Sequence, residues 1–239
     1  MPYLWIVYGI YFIIKLYIKR FKLEYLRKKM NKEETDLYIA NEVRGLAKSL
    51  VKATGSRVNV VGAENIPEGS CVFVGNHQGN FDILVMLGYL NKSMGFIAKK
   101  ELEKLPGVNY WMKQIHCVFM DREDSRDSVR SILEGIENLK NGYSMAIYPE
   151  GTRSQGSHML EFKKGAMKLA TKAGVPIVPV TINGTYKIFE IHKGKKTKAA
   201  DVDVIISKPI YTKELSKEEQ NNLSEYVKSI IEENLKSLK

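Results

Sequence analysis

Two residues in the stretch Gly75 to Asp82, GNHQGNFD, have the types needed to move a proton. His77 supplies an imidazole, the usual general base of proteins, and Asp82 could hold one ring nitrogen so that the other is free to take a proton. Five residues turn through about 500° on a regular helix, so the two would not share a helical face. They meet only if His77 lies in a turn and Asp82 in the first turn of a following helix. Gly79 and Asn80 suit that turn, and a carboxylate near a helix N-terminus is favoured by the macrodipole. A helix-capping Asp beside an unrelated His fits the same residues.

A second stretch, Tyr148 to Ser154, reads YPEGTRS. Arg153 offers a bidentate fork for phosphate. Gly151 allows close backbone approach. Glu150 could hold that arginine or the loop itself. An ordinary strand-to-loop turn with a surface ion pair is the structural alternative. Lys99 in FIAKKEL and Asp121–Arg122 in CVFMDR also fall at predicted strand ends. Taken together, Lys99, Arg122 and Arg153 suggest an anion site. None of the four histidines makes an HxxxH or HExxH spacing, so there is no metal-site signal. Cys71 and Cys117 form no CxxC pair, which favours a reduced, cytosolic setting.

The elements that must position these residues are legible as periodicities. Strands are predicted at 58–61, 71–74, 94–98, 117–120, 144–148, 177–182 and 202–207. Helices are predicted at 33–53, 81–90, 129–141, 164–173 and 217–238, with Val129, Ile132, Leu133, Ile136 and Leu139 on one face of the third. The alternation from Val58 onward predicts an α/β fold: a central sheet, mostly parallel or mixed, flanked by helices. Sites in such sheets collect beyond the strand ends. The prolines of Val175 to Val180, VPIVPV, point to an edge or irregular strand.

The net charge of +10 is uneven, with 12 Lys or Arg against 5 Asp or Glu in residues 1–60. That excess sits on an apolar, aromatic segment, MPYLWIVYGIYFIIKLYIKRFKLEYLRKK. Such a segment suits an anionic membrane surface better than nucleic acid. Its uncharged run, Met1 to Ile14, falls short of the roughly 20 residues of a spanning helix. The length favours a helix lying in the headgroup layer over a single-span anchor. Residues 1–56 are therefore expected to form a small two-helix membrane-docking domain, and 57–239 the α/β domain.

The five stretches, in this order, resemble the 1-acyl-sn-glycerol-3-phosphate acyltransferases of the wider glycerolipid acyltransferase group. The family's N-H-x-x-x-x-D is NHQGNFD here, its F-x-A-K-x-E-L is FIAKKEL, and its D-R strand end is VFMDR. Its E-G-T-R-S, F-K-K-G-A and proline-containing apolar motif are present as EGTRS, FKKGA and VPIVPV. The likeness covers about Gly62 to Asn183, roughly half the chain. It implies acyl transfer from a coenzyme A or acyl-carrier-protein thioester to a lysophospholipid hydroxyl, at the cytoplasmic face of a membrane and without metal or organic cofactor. His77 would be the general base and Asp82 its partner. Lys99, Arg122 and Arg153 would hold the acceptor's phosphate, Glu150 and Gly151 would shape that loop, and VPIVPV would line acceptor or acyl-chain space. Other acceptors, hydrolysis of the thioester and a non-catalytic membrane-binding role remain open. Many members carry Ser where this chain has Gly79, which bears on substrate preference or local hydrogen bonding.

Overall fold

Short runs of Val, Ile and Phe form seven strands in a computed structural model, which describes residues 2–121 and 124–238. Along the chain come α1 (Pro2–Arg27), α2 (Lys32–Ala53), β1 (Arg57–Val61), β2 (Val72–Gly75), α3 (Phe81–Tyr89) and β3 (Met94–Lys99). Then follow α4 (Val108–Gln114), β4 (Val118–Met120), α5 (Ser125–Lys140), β5 (Ser144–Ile147), α6 (Lys168–Ala173), β6 (Ile177–Asn183), β7 (Asp201–Ile206) and α7 (Lys217–Ser237). All seven predicted strands are present. No helix is predicted at α4, whose 7 residues are too few to show a periodicity. The helix predicted at 164–173 opens as a 3₁₀ turn, Lys164–Met167, before becoming α6.

The strands form one mixed sheet in the order β1-β7-β6-β2-β5-β3-β4. The run from β6 to β4 is parallel. β7 lies antiparallel to β6, and β1 is parallel to β7. The central strands are buried on both faces, as parallel strands covered by helices must be. Side chains alternate between two cores. Phe73, Val178, Val180 and Ile182 face the core made with α1, α2, α3 and α4. Val72, Val74 and Ile177 face the core made with α5, α6 and α7.

The VPIVPV stretch corrects an expectation. Its strand, β6, lies inside the sheet between β7 and β2 rather than at an edge. The proline is tolerated because of where the pairing stops. Pro179 pairs with Val74 of β2. Its carbonyl turns toward β7 and accepts from Ser207 N–H at 2.9 Å. On that side the β6–β7 register begins only at Val180, so the missing N–H lies where the antiparallel pairing has ended. From Ile177 to Ile182 every residue of the strand is buried.

The two N-terminal helices share the first core. Leu16 and Leu23 of α1 and Ile39, Val43, Leu46 and Val51 of α2 are buried with Val85 and Met86 of α3. Asn31 starts α2 with a capping box to Glu34. Trp111 of α4 donates its indole N–H to Leu16 carbonyl at 3.3 Å. The outer face of α1 is different: Ile10, Ile14, Ile18, Phe21 and Tyr25 are exposed. Their spacings of three and four put them in one stripe. Among the described residues, no helix is long and apolar enough to cross a membrane.

At the end of β2 a side chain takes over from the backbone. The β2–β6 register runs to Gly75–Val180. Asn76, buried, then donates Nδ2 to Ile182 carbonyl at 2.9 Å and accepts Ile182 N–H on Oδ1 at 2.8 Å. Both β6 groups stay satisfied while the main chain after Asn76 is free to turn. Asn76→Ala should therefore destabilise the protein by about 2–4 kcal/mol, from two buried backbone groups left unpaired. Urea unfolding checks this; a midpoint equal to the parent's would contradict the assigned role.

Candidate active site

The sheet order brings one set of loops together. β6, β2, β5, β3 and β4 run the same way, so their carboxyl ends share an edge. β2 leads into His77, β5 into Tyr148–Ser154, β3 ends at Lys99, and β6 leads into the segment from Gly184 to His192. Ligand sites of open α/β sheets lie beyond this edge.

His77 and Asp82 meet. His77 Nδ1 lies 2.6 Å from Asp82 Oδ2. The turn that the spacing required is present, with Asn80 at the N-cap of α3 and Asp82 in its first turn. Asp82 is fully buried (0% exposed), while the His77 ring keeps 11% of its surface. A carboxylate so deeply desolvated needs donors, and it has three. Besides the imidazole, Gly79 N–H donates to Oδ2 at 2.8 Å and the Thr185 hydroxyl donates to Oδ1. With Nδ1 held, Nε2 is the nitrogen left for proton transfer.

The loop after β5 packs against the imidazole and holds its backbone. The Tyr148 ring stacks on His77 with centroids 4.1 Å apart and planes 13° from parallel. Its hydroxyl donates to Met86 sulfur at 3.1 Å, and burial pushes its pKa well above the usual phenol value. Glu150 holds the loop rather than the arginine. One carboxylate oxygen accepts His77 N–H at 2.6 Å and the other accepts Leu160 N–H at 2.8 Å. Burial raises the Glu150 pKa, and the two backbone donors oppose that rise. Ser154 N–H closes the frame on His77 carbonyl at 2.8 Å. Gly151 has φ of 71°, a left-handed backbone that favours glycine.

The predicted cations are arranged less tightly than the anion-site reading expected. Arg153, 38% exposed, pairs with Glu190 at 3.4 Å. Lys99, 59% exposed, pairs instead with its neighbour Glu101 at 2.7 Å. Arg122 lies outside the described residues. Both cysteines are buried, and burial raises both thiols, Cys117 to about 12. Neither is poised as a nucleophile.

Sequence reasoning missed Thr185, Tyr148 as the histidine's stacking partner, and Glu190. The Gly184–Thr185 pair after an apolar strand is a weak turn signal. Glu190, the single carboxylate in KIFEIH, carries none. The glycine at 79 also becomes intelligible: a Cβ there would collide with the Glu190 carboxylate.

The family model described as Acyltransferase matches residues 57–183. A chloroplastic 1-acyl-sn-glycerol-3-phosphate acyltransferase of Brassica napus is 39% identical over 157 residues, covering 65% of this chain and 45% of its own. A 1-acyl-sn-glycerol-3-phosphate acyltransferase of Borreliella burgdorferi is 30% identical over 198 residues, 82% of this chain and 79% of that one. The chain thus spans less than half the length of the Brassica relative. Among solved structures, the 1-acyl-sn-glycerophosphate acyltransferase PlsC of Thermotoga maritima superposes with a TM-score of 0.86 at 34% identity, covering 99% of this chain and 93% of that one.

Because each Glu150 oxygen accepts a backbone N–H, an amide is a poor substitute: one of its ends would face a donor with a donor. Glu150→Gln should lower stability by about 1–3 kcal/mol. Thermal or urea melts measure this, and a Gln variant as stable as the parent would mean that the carboxylate does not hold both backbone groups.

Proposed function

The chain belongs to the acyltransferase family, and from that premise we propose that it transfers a fatty acyl group from an acyl thioester to the sn-2 hydroxyl of lysophosphatidate, giving phosphatidate. The observation that carries the reading is the buried Asp82 carboxylate on His77 Nδ1, which leaves Nε2 as a base at a mouth formed by strand ends. An alcohol is a poor nucleophile at neutral pH and needs such a base.

In the proposed reaction Nε2 takes the acceptor's hydroxyl proton as its oxygen attacks the thioester carbonyl. The tetrahedral intermediate collapses with cleavage of the C–S bond. The imidazolium returns its proton to the departing thiolate. Asp82 stabilises the imidazolium between these two transfers. No acyl-enzyme and no organic cofactor enter the scheme. The donor is a coenzyme A or acyl-carrier-protein thioester.

Arg153 is the proposed ligand of the acceptor's phosphate, with Lys99 as a second cation at the same sheet edge. A cavity of about 470 Å³, lined by Ile97, Val129, Leu133, Ile147 and Tyr148, offers apolar space for an acyl chain. Tyr148 borders that cavity and also stacks on His77, so chain and base share one neighbour. The exposed apolar stripe of α1, with the basic residues beyond it, supports docking of residues 1–56 on an anionic membrane at its cytoplasmic face.

His77→Ala should cut transfer by about 10²–10⁴-fold while circular dichroism and vesicle binding stay unchanged. Labelled acyl thioester with lysophosphatidate and purified protein provides the assay. Near-parental phosphatidate formation by the variant would remove the general-base assignment, and release of free fatty acid without an acceptor would mark a hydrolase instead. Arg153→Ala should raise the apparent KM for lysophosphatidate about ten-fold with little change for the thioester, the loss expected of one charge-assisted hydrogen bond. Equal effects on both substrates would count against the phosphate role.

A further inference from the structure

Glu190 opens a single 3₁₀ turn, Glu190–His192, in the segment after β6. Its side chain is only 3% exposed. Oε1 accepts Asn80 N–H at 2.8 Å and faces Arg153 Nη1 at 3.4 Å. Oε2 is buried without a hydrogen-bond partner among the described residues. Burying a carboxylate is costly unless a cation and donors compensate it, so this placement needs a reason. The carboxylate also lies over Gly79. A Cβ at that position would come within 2.7 Å of Glu190 Cδ and closer still to Oε2. Gly79 does not have the left-handed backbone that favours glycine. The absence of a side chain at 79 therefore serves space, and the Glu190 carboxylate fills it.

We propose that Glu190 is a positioning residue of the acceptor site, holding the Arg153 guanidinium beside the His77 turn so that its other N–H groups are presented to a phosphomonoester. The inference rests on the reading of Arg153 as the phosphate ligand. An arginine on a partly exposed loop loses rotamer freedom when it binds, and fixing it beforehand removes that cost from the binding step. The Asn80 contact ties the same carboxylate to the start of α3, where Asp82 sits. Thr185, five residues upstream, donates to Asp82. One segment after β6 therefore sets both the base and the cation. Phosphate and hydroxyl of a single acceptor must reach those two groups at once.

The test compares parent, Glu190→Ala, Glu190→Gln, Gly79→Ala and the Gly79→Ala/Glu190→Ala double variant. Kinetics with oleoyl-lysophosphatidate and palmitoyl-coenzyme A are paired with calorimetric binding of lysophosphatidate in the absence of thioester. Glu190→Ala should weaken lysophosphatidate binding and raise its KM about ten-fold, leaving the thioester KM in place. Glu190→Gln keeps an oxygen for Asn80 and Arg153 and should restore most of the loss. Gly79→Ala should reproduce Glu190→Ala by displacing the carboxylate, and the double variant should be no worse than either. Unchanged lysophosphatidate constants in Glu190→Ala and Gly79→Ala would overturn the proposal. So would parallel changes for both substrates, or a Gln variant as impaired as Ala. If Glu190→Ala does not fold, Gly79→Ala and Glu190→Gln decide the matter alone. A parent that binds lysophosphatidate but makes no phosphatidate sinks the transfer reading and leaves this one to the binding arm; a parent that does not bind sinks both.

Discussion

A carboxylate taken wholly out of water must find donors for its lone pairs, and Asp82 finds them in three parts of the chain. The imidazole comes from the turn after β2, the Gly79 amide from the approach to α3, and the Thr185 hydroxyl from beyond β6. In a low-dielectric setting each of these contacts is strong when made and expensive when lost. The carboxylate thus ties β2, α3 and the end of β6 into one arrangement. Glu150 does the same across β2 and β5, accepting the His77 amide. The histidine is gripped at its ring, its N–H and its carbonyl, by three different residues.

The ladder geometry explains why these residues can converge. A parallel sheet delivers successive strand ends to one edge, and crossover helices return the chain to begin again at the other. His77, Glu150 and Thr185 are far apart in sequence but follow three neighbouring strands, β2, β5 and β6. Asn76 lets β2 end early without orphaning its partner, which gives the His77 turn room to leave the sheet.

Much of this was readable in the residues, for a physical reason. Strands, α3 and the His–Asp turn are encoded within ten residues or fewer, where periodicity and turn chemistry act directly. GNHQGNFD limits the possibilities, because the two side chains meet only with His77 in the turn and Asp82 in the first turn of the helix. The strand order and the interior position of β6 depend on pairings between separate segments of the chain, and the roles of Thr185 and Glu190 on contacts made more than 100 residues apart. Thr185 to Asp82 and Glu190 to Asn80 leave no periodic trace. The prolines of VPIVPV misdirected the reading because local rules cannot see where a neighbouring strand stops pairing. Lys99 shows the converse: its position at a strand end was visible, but its engagement with Glu101 was not.

The burial of the two thiols has a chemical consequence for the proposed thioester chemistry. A surface thiolate is an excellent acceptor for a thioester's acyl group, so an accessible cysteine near the donor would slowly modify itself. Cys71 lies just before β2 with its sulfur beside Ser144, and Cys117 lies just before β4 with its sulfur against Phe96 N–H. Both are enclosed, and desolvation keeps both protonated. Under the proposed transfer, neither of these thiols would compete with the acceptor for the donor's acyl group.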